Sequence, residues 1–389
     1  MLQKIRVLDL GSFITAPYAA MLLAELGAEV VKVERPGGGD PFRAFDGNLY
    51  SPQFQAHNRN KKSILLDYGQ PTGKNLLLDL IQKADVLIVN MRPGGAERLG
   101  IGAEEAMRLN PKLVYCSITG FGEDGPYKDR PAYDTVGQSL SGWLSLFHDS
   151  TDPRIAGPAV CDALTGMFAC NGVLAALVER SQTGKGRKVD VNMVEANLAF
   201  AAEPLAQFFA TGKNVSPFGR TALSQSFVLS CSDGARVGVH LSSPEKFWMG
   251  LVAATNADQL KVDERFRTRD GRVRNYQALS TVLAEIFATR TSHDWHERLK
   301  ANDVPFAPAL RFDELMGNEH VRHLNPFYTL EHPVYGAVQG VRNPLRFDGE
   351  RCEALLPPPA LGEHSSEVLK SWLGLEEDAS AKSAASQDH

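Results

Sequence analysis

The sequence predicts an α/β protein: a parallel sheet covered by helices on both faces, followed by a smaller α+β domain. Three observations lead there. Up to Gly120, short β-branched runs alternate with helical segments. Those runs are almost continuously apolar, as strands buried on both faces are, instead of alternating in polarity. Beyond Phe227 the alternation gives way to a hairpin signal and two amphipathic helices.

The elements follow in order. IRVLDL (5–10) is a first strand, and APYAAMLLAELG (16–27) has helical spacing and stops on a glycine. EVVKVE (29–34) is a second strand, GKNLLLDLIQKA (73–84) a helix, DVLIVN (85–90) a third strand and LVYCSITG (113–120) a fourth. A helical region runs from Thr135 to about Glu179, then TGKGRKVDVNM gives a turn and a strand, and a long helix spans Val194 to about Thr211. Residues Gly212–Ser224 are polar and irregular and read as a linker. FVLSCSDGARVGVHL (227–241) is a hairpin with Ser-Asp-Gly at its turn. NYQALSTVLAEIFATR and SHDWHERLKAND are amphipathic helices. The domain boundaries are therefore 1–212 for the large domain, 213–325 for the small one and 326–374 for a segment returning to the large domain. A polar tail, 375–389, reads as disordered.

Composition excludes several classes. The chain has 389 residues, 43% apolar and 22% charged, with a net charge of −5, so there is no global attraction to nucleic acid or to an anionic membrane. No apolar run approaches the roughly 20 residues that span a bilayer. The start, MLQKIRVLDLG, enters a strand without a secretory signal. Cys116, Cys161, Cys170, Cys231 and Cys352 are odd in number and form no CxxC, which suits reduced thiols in a cytoplasmic protein. His57, His148, His240, His293, His296 and His364 show no HxxxH or HExxH spacing, so a metal is not indicated. DLGSFITAPYAA lacks GxGxxG and no P-loop or GxSxG elbow occurs, which disfavours NAD, ATP and serine chemistry. Gly37–Gly39 and GKGRK (184–188) read as turns.

The polar residues gather where a parallel sheet binds ligands, beyond the carboxyl ends of its strands. There stand GSFIT, RPGGGD, MRPGG and GFGEDGPYKDRPAYD. A single arginine at a strand end is usually solvated, but Arg35, Arg92 and Arg98 fall on one sheet edge, and guanidinium forks suit phosphate oxygens. Within GPAVCDALTG, Cys161 has no histidine near it in sequence and reads as a small buried hydrophobe. Asp162 precedes a strongly helical stretch. Residue physics favours an N-cap there, and a nucleophile toward an activated acyl group is the other reading.

With these residues in view, the chain resembles the class III coenzyme A transferases, which include formyl-CoA and carnitine CoA-transferases and share their fold with the α-methylacyl-CoA racemases. The resemblance runs from Ile5 to about Leu373. It is carried by VLDLGSFITAPYAAMLLAELGAEVVKVERPGGGD, HNRNKKSILLD, NMRPGGAERLGIG, SITGFGEDGPYKDRPAYDTVGQSLSG, GPAVCDALTGMFACNGVLAAL, DERFRTRDGRVRN and PALGEHSSEVL. It implies a Rossmann-like large domain and an interlocked homodimer of ring-like chains. It places Asp162 at the catalytic aspartate, and Arg35, Asn90, Met91, Arg92, Arg98, Tyr133 and Asp134 at positions that contact CoA. Thr15 and Leu66 would contact it through the backbone.

The resemblance also implies an acyl-CoA and a small carboxylic acid as substrates, with no permanently bound cofactor. Asp162 would attack the donor thioester and relay the acyl group covalently. A glycine-rich loop of formyl-CoA transferase has no counterpart between Pro217 and Asp233. The racemases carry AGHD where this chain has PAYD, with Tyr133 in the histidine's place. A phenol ionising near ~10 is a poorer proton shuttle than imidazole near ~6.5, which argues for transfer. Tyr133 as a packing residue stays open, as do a racemase-type isomerase and a catalytically silent acyl-CoA-binding homologue.

Overall fold

The computed structural model describes residues 1–46, 49–147, 154–155, 157–242, 244–351 and 355–375. His148, Cys352 and all but the first residue of the expected tail lie outside them. The chain forms two compact units. One comprises Met1–Leu144, Arg154–Ala206 and the chain from Pro326 onward; the other is Gln207–Asn325 with a segment starting at Ser145.

The first unit is built in the order β1 (Arg6–Asp9), α1 (Thr15–Glu25), β2 (Glu29–Glu34), α2 (Pro52–Asn58), β3 (Lys61–Leu65), α3 (Pro71–Lys83) and β4 (Val86–Val89). It continues with α4 (Gly95–Arg98), α5 (Ala103–Leu109), β5 (Val114–Thr119), α6 (Asp134–Leu140), α7 (Val160–Thr183), β6 (Lys188–Asn192) and α8 (Met193–Phe200). Six strands pair in the order β3-β2-β1-β4-β5-β6, all parallel. Val7, Leu8, Val30, Val31 and the whole of β4 are buried, which explains their unbroken apolar runs. The strand order reverses between β1 and β4, and that crossover opens a crevice at their carboxyl ends.

Four sequence expectations change. β3 was not anticipated, because KKSIL opens on two lysines. Lys61 is nevertheless fully buried. The helix expected over Val194–Thr211 divides at Ala201 into α8 and α9 (Ala202–Thr211). Pro204 has no N–H to give the carbonyl four residues back, so the ladder breaks there. The stretch read as an irregular linker holds a short helix, Gly219–Ser224. Finally, α7 is long and apolar enough by composition to cross a bilayer. Here it is a core helix, with Cys161, Ala169, Cys170, Val173 and Ala176 buried. It meets α1 backbone to backbone: a Cβ on Gly166 would lie 2.8 Å from the Thr15 carbonyl oxygen.

Charged side chains sit inside this unit as a connected network. Lys61 Nζ donates to Asp9 Oδ2 at 2.8 Å, to the Pro17 carbonyl at 2.7 Å and to Asn58 Oδ1 at 2.8 Å. Lys32 lies 3.7 Å from Asp9 and 2.9 Å from Asp40, and all four side chains are fully buried or nearly so. Burial alone would raise the Asp9 carboxyl, but Lys32 and Lys61 outweigh it and hold that group below its ordinary range. Next to them, Arg43 grips Glu34 through two bonds of 2.7 Å and donates to the Pro359 carbonyl at 3.1 Å, tying the returning chain to the sheet. Val368, Leu369 and Trp372 of the helix Ser365–Leu373 are buried as well.

The second unit has a three-stranded antiparallel sheet, β7 (Ser226–Ser230), β8 (Arg236–His240) and β9 (Phe306–Pro308). Gly234 takes φ +80° at the hairpin turn. The two anticipated helices are Tyr276–Phe287 and Ser292–Ala301, and Phe287 stacks on Trp295 at 4.3 Å. A second hairpin, β10 (Phe327–His332) with β11 (Gly336–Val341), belongs to the first unit.

Removing one member of the buried network should be costly. Lys61→Met leaves Asp9 short of its nearest cation, and urea unfolding should show a loss of about 3–5 kcal/mol. The double variant Asp9→Leu/Lys61→Met should lose less than the sum of the two single changes. Additive losses would mean that the two side chains do not act as a pair.

Candidate active site

The loop after β1 enters α1 without the glycines of a phosphate cradle, and side chains shape it instead. Asp9 Oδ1 accepts from the Gly11 amide at 2.9 Å, and Lys32 Nζ donates to the Gly11 carbonyl at 2.8 Å. Asn90, one residue past β4, then clamps the loop. Its Oδ1 accepts from the Ser12 amide at 3.0 Å, and its Nδ2 donates to the Ser12 carbonyl at 2.8 Å and to Thr15 Oγ1 at 3.0 Å. Phe13 is held at φ +62°, a left-handed conformation rare for a large side chain, while its amide donates to Asp40 Oδ1 at 3.1 Å. The ring it projects packs edge-on against Phe42 and Tyr133, with centroids at 5.2 and 5.6 Å.

Above this loop lies a cavity of about 170 Å³ lined by Ser12–Thr15, Asn90–Pro93, Ile118–Gly120, Lys128, Arg130–Tyr133, Asp162 and Met193. It therefore joins the carboxyl ends of β1, β4 and β5 to the start of α7. A second cleft, lined by Arg35, Gly39, Asp40, Tyr68 and Leu99, shares Ser12, Asn90 and Met91 with it.

Asp162 is not the N-cap expected from its sequence setting. The cap position of α7 is Ala159, and Asp162 is the third helical residue. The capping oxygen comes from another helix: Asp134 Oδ1 accepts from the amides of Cys161 at 2.8 Å and Asp162 at 3.2 Å. The Asp162 carboxyl is half-buried and has no hydrogen-bond or ion-pair partner among the described residues. Burial, and then the negative charge of Asp134, push it up to about 7. Cys161 keeps its bland role. It is fully buried, burial and the charges of Asp162 and Asp134 push its thiol up to about 12, and its Sγ fills the space left by the absent side chain of Gly137.

The structure brings together Asp162, Thr15, Asn90, Met91, Arg92 and Tyr133 around the first cavity. Arg35 lines the adjoining cleft, its guanidinium 4.4 Å over the Tyr68 ring. Asp134 supports the start of α7. Two residues stand apart. Arg98 is exposed beside Gly94 and lines neither space. Leu66 is fully buried in the core, its amide bonded to the Glu34 carbonyl and its own carbonyl to the Tyr68 amide. Sequence reasoning missed Lys128 and Arg130 as cavity residues, although both stand in the quoted block PYKDRPAYD. It also missed Asp40, whose bond to Phe13 crosses from one strand end to the next. Among the described residues, no group of three His, Cys, Asp or Glu side chains could hold a metal ion.

Fold and cavity define the class: a doubly wound α/β protein with a cavity at the crossover of its sheet. Comparison with known proteins places it further, for the chain belongs to the CoA-transferase family III, whose family model matches residues 2–365. It is 31% identical to the succinyl-CoA:glutarate CoA-transferase of Mus musculus, over 98% of this chain and 88% of that protein. To the formyl-CoA:oxalate CoA-transferase of Bradyrhizobium diazoefficiens it is 30% identical, over 96% of this chain and 93% of that one. A CAIB/BAIF family protein of Brucella suis, known from a crystal structure, superposes with a TM-score of 0.84 at 29% identity, covering 95% of this chain and 99% of that one. The protein is accordingly a transferase acting on coenzyme A thioesters.

Asp162 gives this site a pH signature. If Asp162 acts as a nucleophile it must be ionised, and kcat/KM should then fall about tenfold per pH unit below about 7. Asp134→Asn keeps an oxygen for the two α7 amides while removing the charge, so the break in the profile should move to lower pH. The stability effect runs the opposite way to the activity. Because folding raises the Asp162 pKa from 3.8 to about 7, its ionisation destabilises the fold as pH climbs through that window. Asp162→Asn should therefore melt higher than the parent at pH 8, with the difference gone below about pH 4. A flat activity profile from pH 5 to 8 would contradict either the raised Asp162 pKa or its part in the chemistry.

Proposed function

We propose that the protein moves coenzyme A from an acyl-CoA donor to a small carboxylic acid through covalent intermediates on Asp162. The observation that carries this reading is the Asp162 carboxyl, without a hydrogen-bond or ion-pair partner among the described residues, lining a cavity that also holds Arg92, Lys128 and Arg130. The Asp162 oxygen attacks the donor carbonyl carbon, the C–S bond breaks, and a mixed anhydride and CoA thiolate result. The thiolate then attacks the Asp162 carbonyl, releasing the donor acid and leaving an aspartyl thioester. The acceptor carboxylate repeats these steps in reverse and leaves as its CoA ester. The thioester's energy is retained throughout, so no nucleotide is consumed.

Arg35 and Arg92 suit the phosphates of CoA. For the acceptor acid, the relatives named above, whose names carry glutarate and oxalate, point to dicarboxylic acids. Lys128 and Arg130 agree with that: among the described residues neither has a carboxylate partner, and the Arg130 guanidinium is stacked 3.7 Å over the Tyr127 ring. The racemase reading is supported less, since no histidine lies among the described residues lining the cavity and Tyr133 is 58% exposed. We further propose an interlocked homodimer in the cytoplasm. Its support is the apolar surface left on the single chain, such as Phe209 and Phe312, and the buried, unpaired thiols of Cys116, Cys161, Cys170 and Cys231.

Incubation with succinyl-CoA followed by hydroxylamine or borohydride should modify Asp162, as peptide mass spectrometry would detect. Asp162→Ala should lose CoA transfer across a panel of donors and carboxylates. Full turnover by that variant would rule out the covalent route. Solvent deuterium entering the α-position of an acyl-CoA, without transfer, would establish the racemase reading instead.

A further inference from the structure

We infer that the side-chain hydroxyl of Thr15 is the hydrogen-bond donor to the oxyanion formed when Asp162 attacks the thioester, an inference that rests on the transferase reading above. Attack by a carboxylate converts the thioester carbonyl oxygen into an alkoxide, and catalysis needs a donor already in place for that charge. Thr15 and Asp162 line the same cavity. Their nearness follows from the helix contact. Gly166 lies four residues after Asp162, hence on the same face of α7 and about 5–6 Å along it. A Cβ on Gly166 would come within 2.8 Å of the Thr15 carbonyl oxygen.

The hydroxyl is also prepared as a donor. Thr15 is 7% exposed, and its Oγ1 accepts from Asn90 Nδ2 at 3.0 Å. Its own proton finds no acceptor among the described residues. Asn90 is fixed in turn by its two bonds to Ser12, so the lone pair facing Asn90 is occupied and the O–H must turn elsewhere. The cavity offers that direction. During the step Thr15 keeps its proton. The new C–O bond to Asp162 forms, the carbonyl π electrons move onto the oxygen that Thr15 contacts, and they return as the C–S bond breaks. The same donor serves each later tetrahedral intermediate at this position.

Thr15→Val preserves shape and removes the donor; Thr15→Ser restores it. In single-turnover mixing with succinyl-CoA, Thr15→Val should slow Asp162 acylation about 100-fold, with little change in the acyl-CoA concentration giving half-maximal rate. Thr15→Ser should recover most of the rate, and the melting temperatures of both variants show whether the fold survived. An acylation rate in Thr15→Val close to the parent's overturns the inference. So does a Thr15→Ser variant as slow as Thr15→Val, which would make the methyl group or the packing responsible. Absence of acylation in the parent protein itself is a different result, and would reject the transferase reading and the inference with it.

Discussion

The buried pairing of Asp9 and Asp40 with Lys32 and Lys61 is the constraint on which the site depends. Two anions and two cations enclosed beneath the sheet edge are expensive to desolvate, and geometry must offset that cost. Here nearly every oxygen and ammonium proton has a partner, several of them backbone groups of the β1–α1 loop. Folding the network and shaping the loop are thus one event. A dinucleotide fold makes this turn with glycines and leaves its backbone open to phosphate. This chain fixes the turn by charge, holds Phe13 in a strained conformation, and turns the loop toward a cavity that ends at a carboxylate.

That carboxylate is kept basic by what its surroundings withhold. At a helix N-terminus an aspartate would ordinarily be stabilised by free amides and the helix dipole. Asp134 occupies the amides of Cys161 and Asp162, so Asp162 gains little from its position and meets a second negative charge beside it. Under the proposed mechanism the more basic carboxylate that results is a better nucleophile, at the cost of being fully ionised only above neutrality. Cys161, adjacent in sequence, points into the core and is insulated from this chemistry.

Much of the large unit was legible because local rules and tertiary structure agree there: β2 lies where EVVKVE placed it, and α3 and β5 fall within two residues of expectation. The failures share a cause. Lysines hide β3, because Lys61 is buried by a partner contributed from another strand. The cap of α7 could not be read from GPAVCDALTG, because Asp134 stands 27 residues earlier in the chain. The quoted motifs gave Asp162, Arg92 and Tyr133 as members of one site, whereas the clamping by Asn90 and the grip of Asp40 on Phe13 link strand ends that sequence distance separates. Non-local polar contacts, rather than apolar periodicity, carry that information.

The proposed passage of acyl groups through the Asp162 carboxyl can be followed atom by atom with oxygen isotopes. In the proposed sequence, Asp162 gives one oxygen to the departing donor acid and receives one from the acceptor. After a single turnover with an acceptor acid labelled with heavy oxygen in its carboxylates, the peptide carrying Asp162 should gain one labelled oxygen, read by mass spectrometry. A peptide of unchanged mass, alongside CoA ester product formed from the labelled acid, would contradict the account and point to direct transfer between the two substrates.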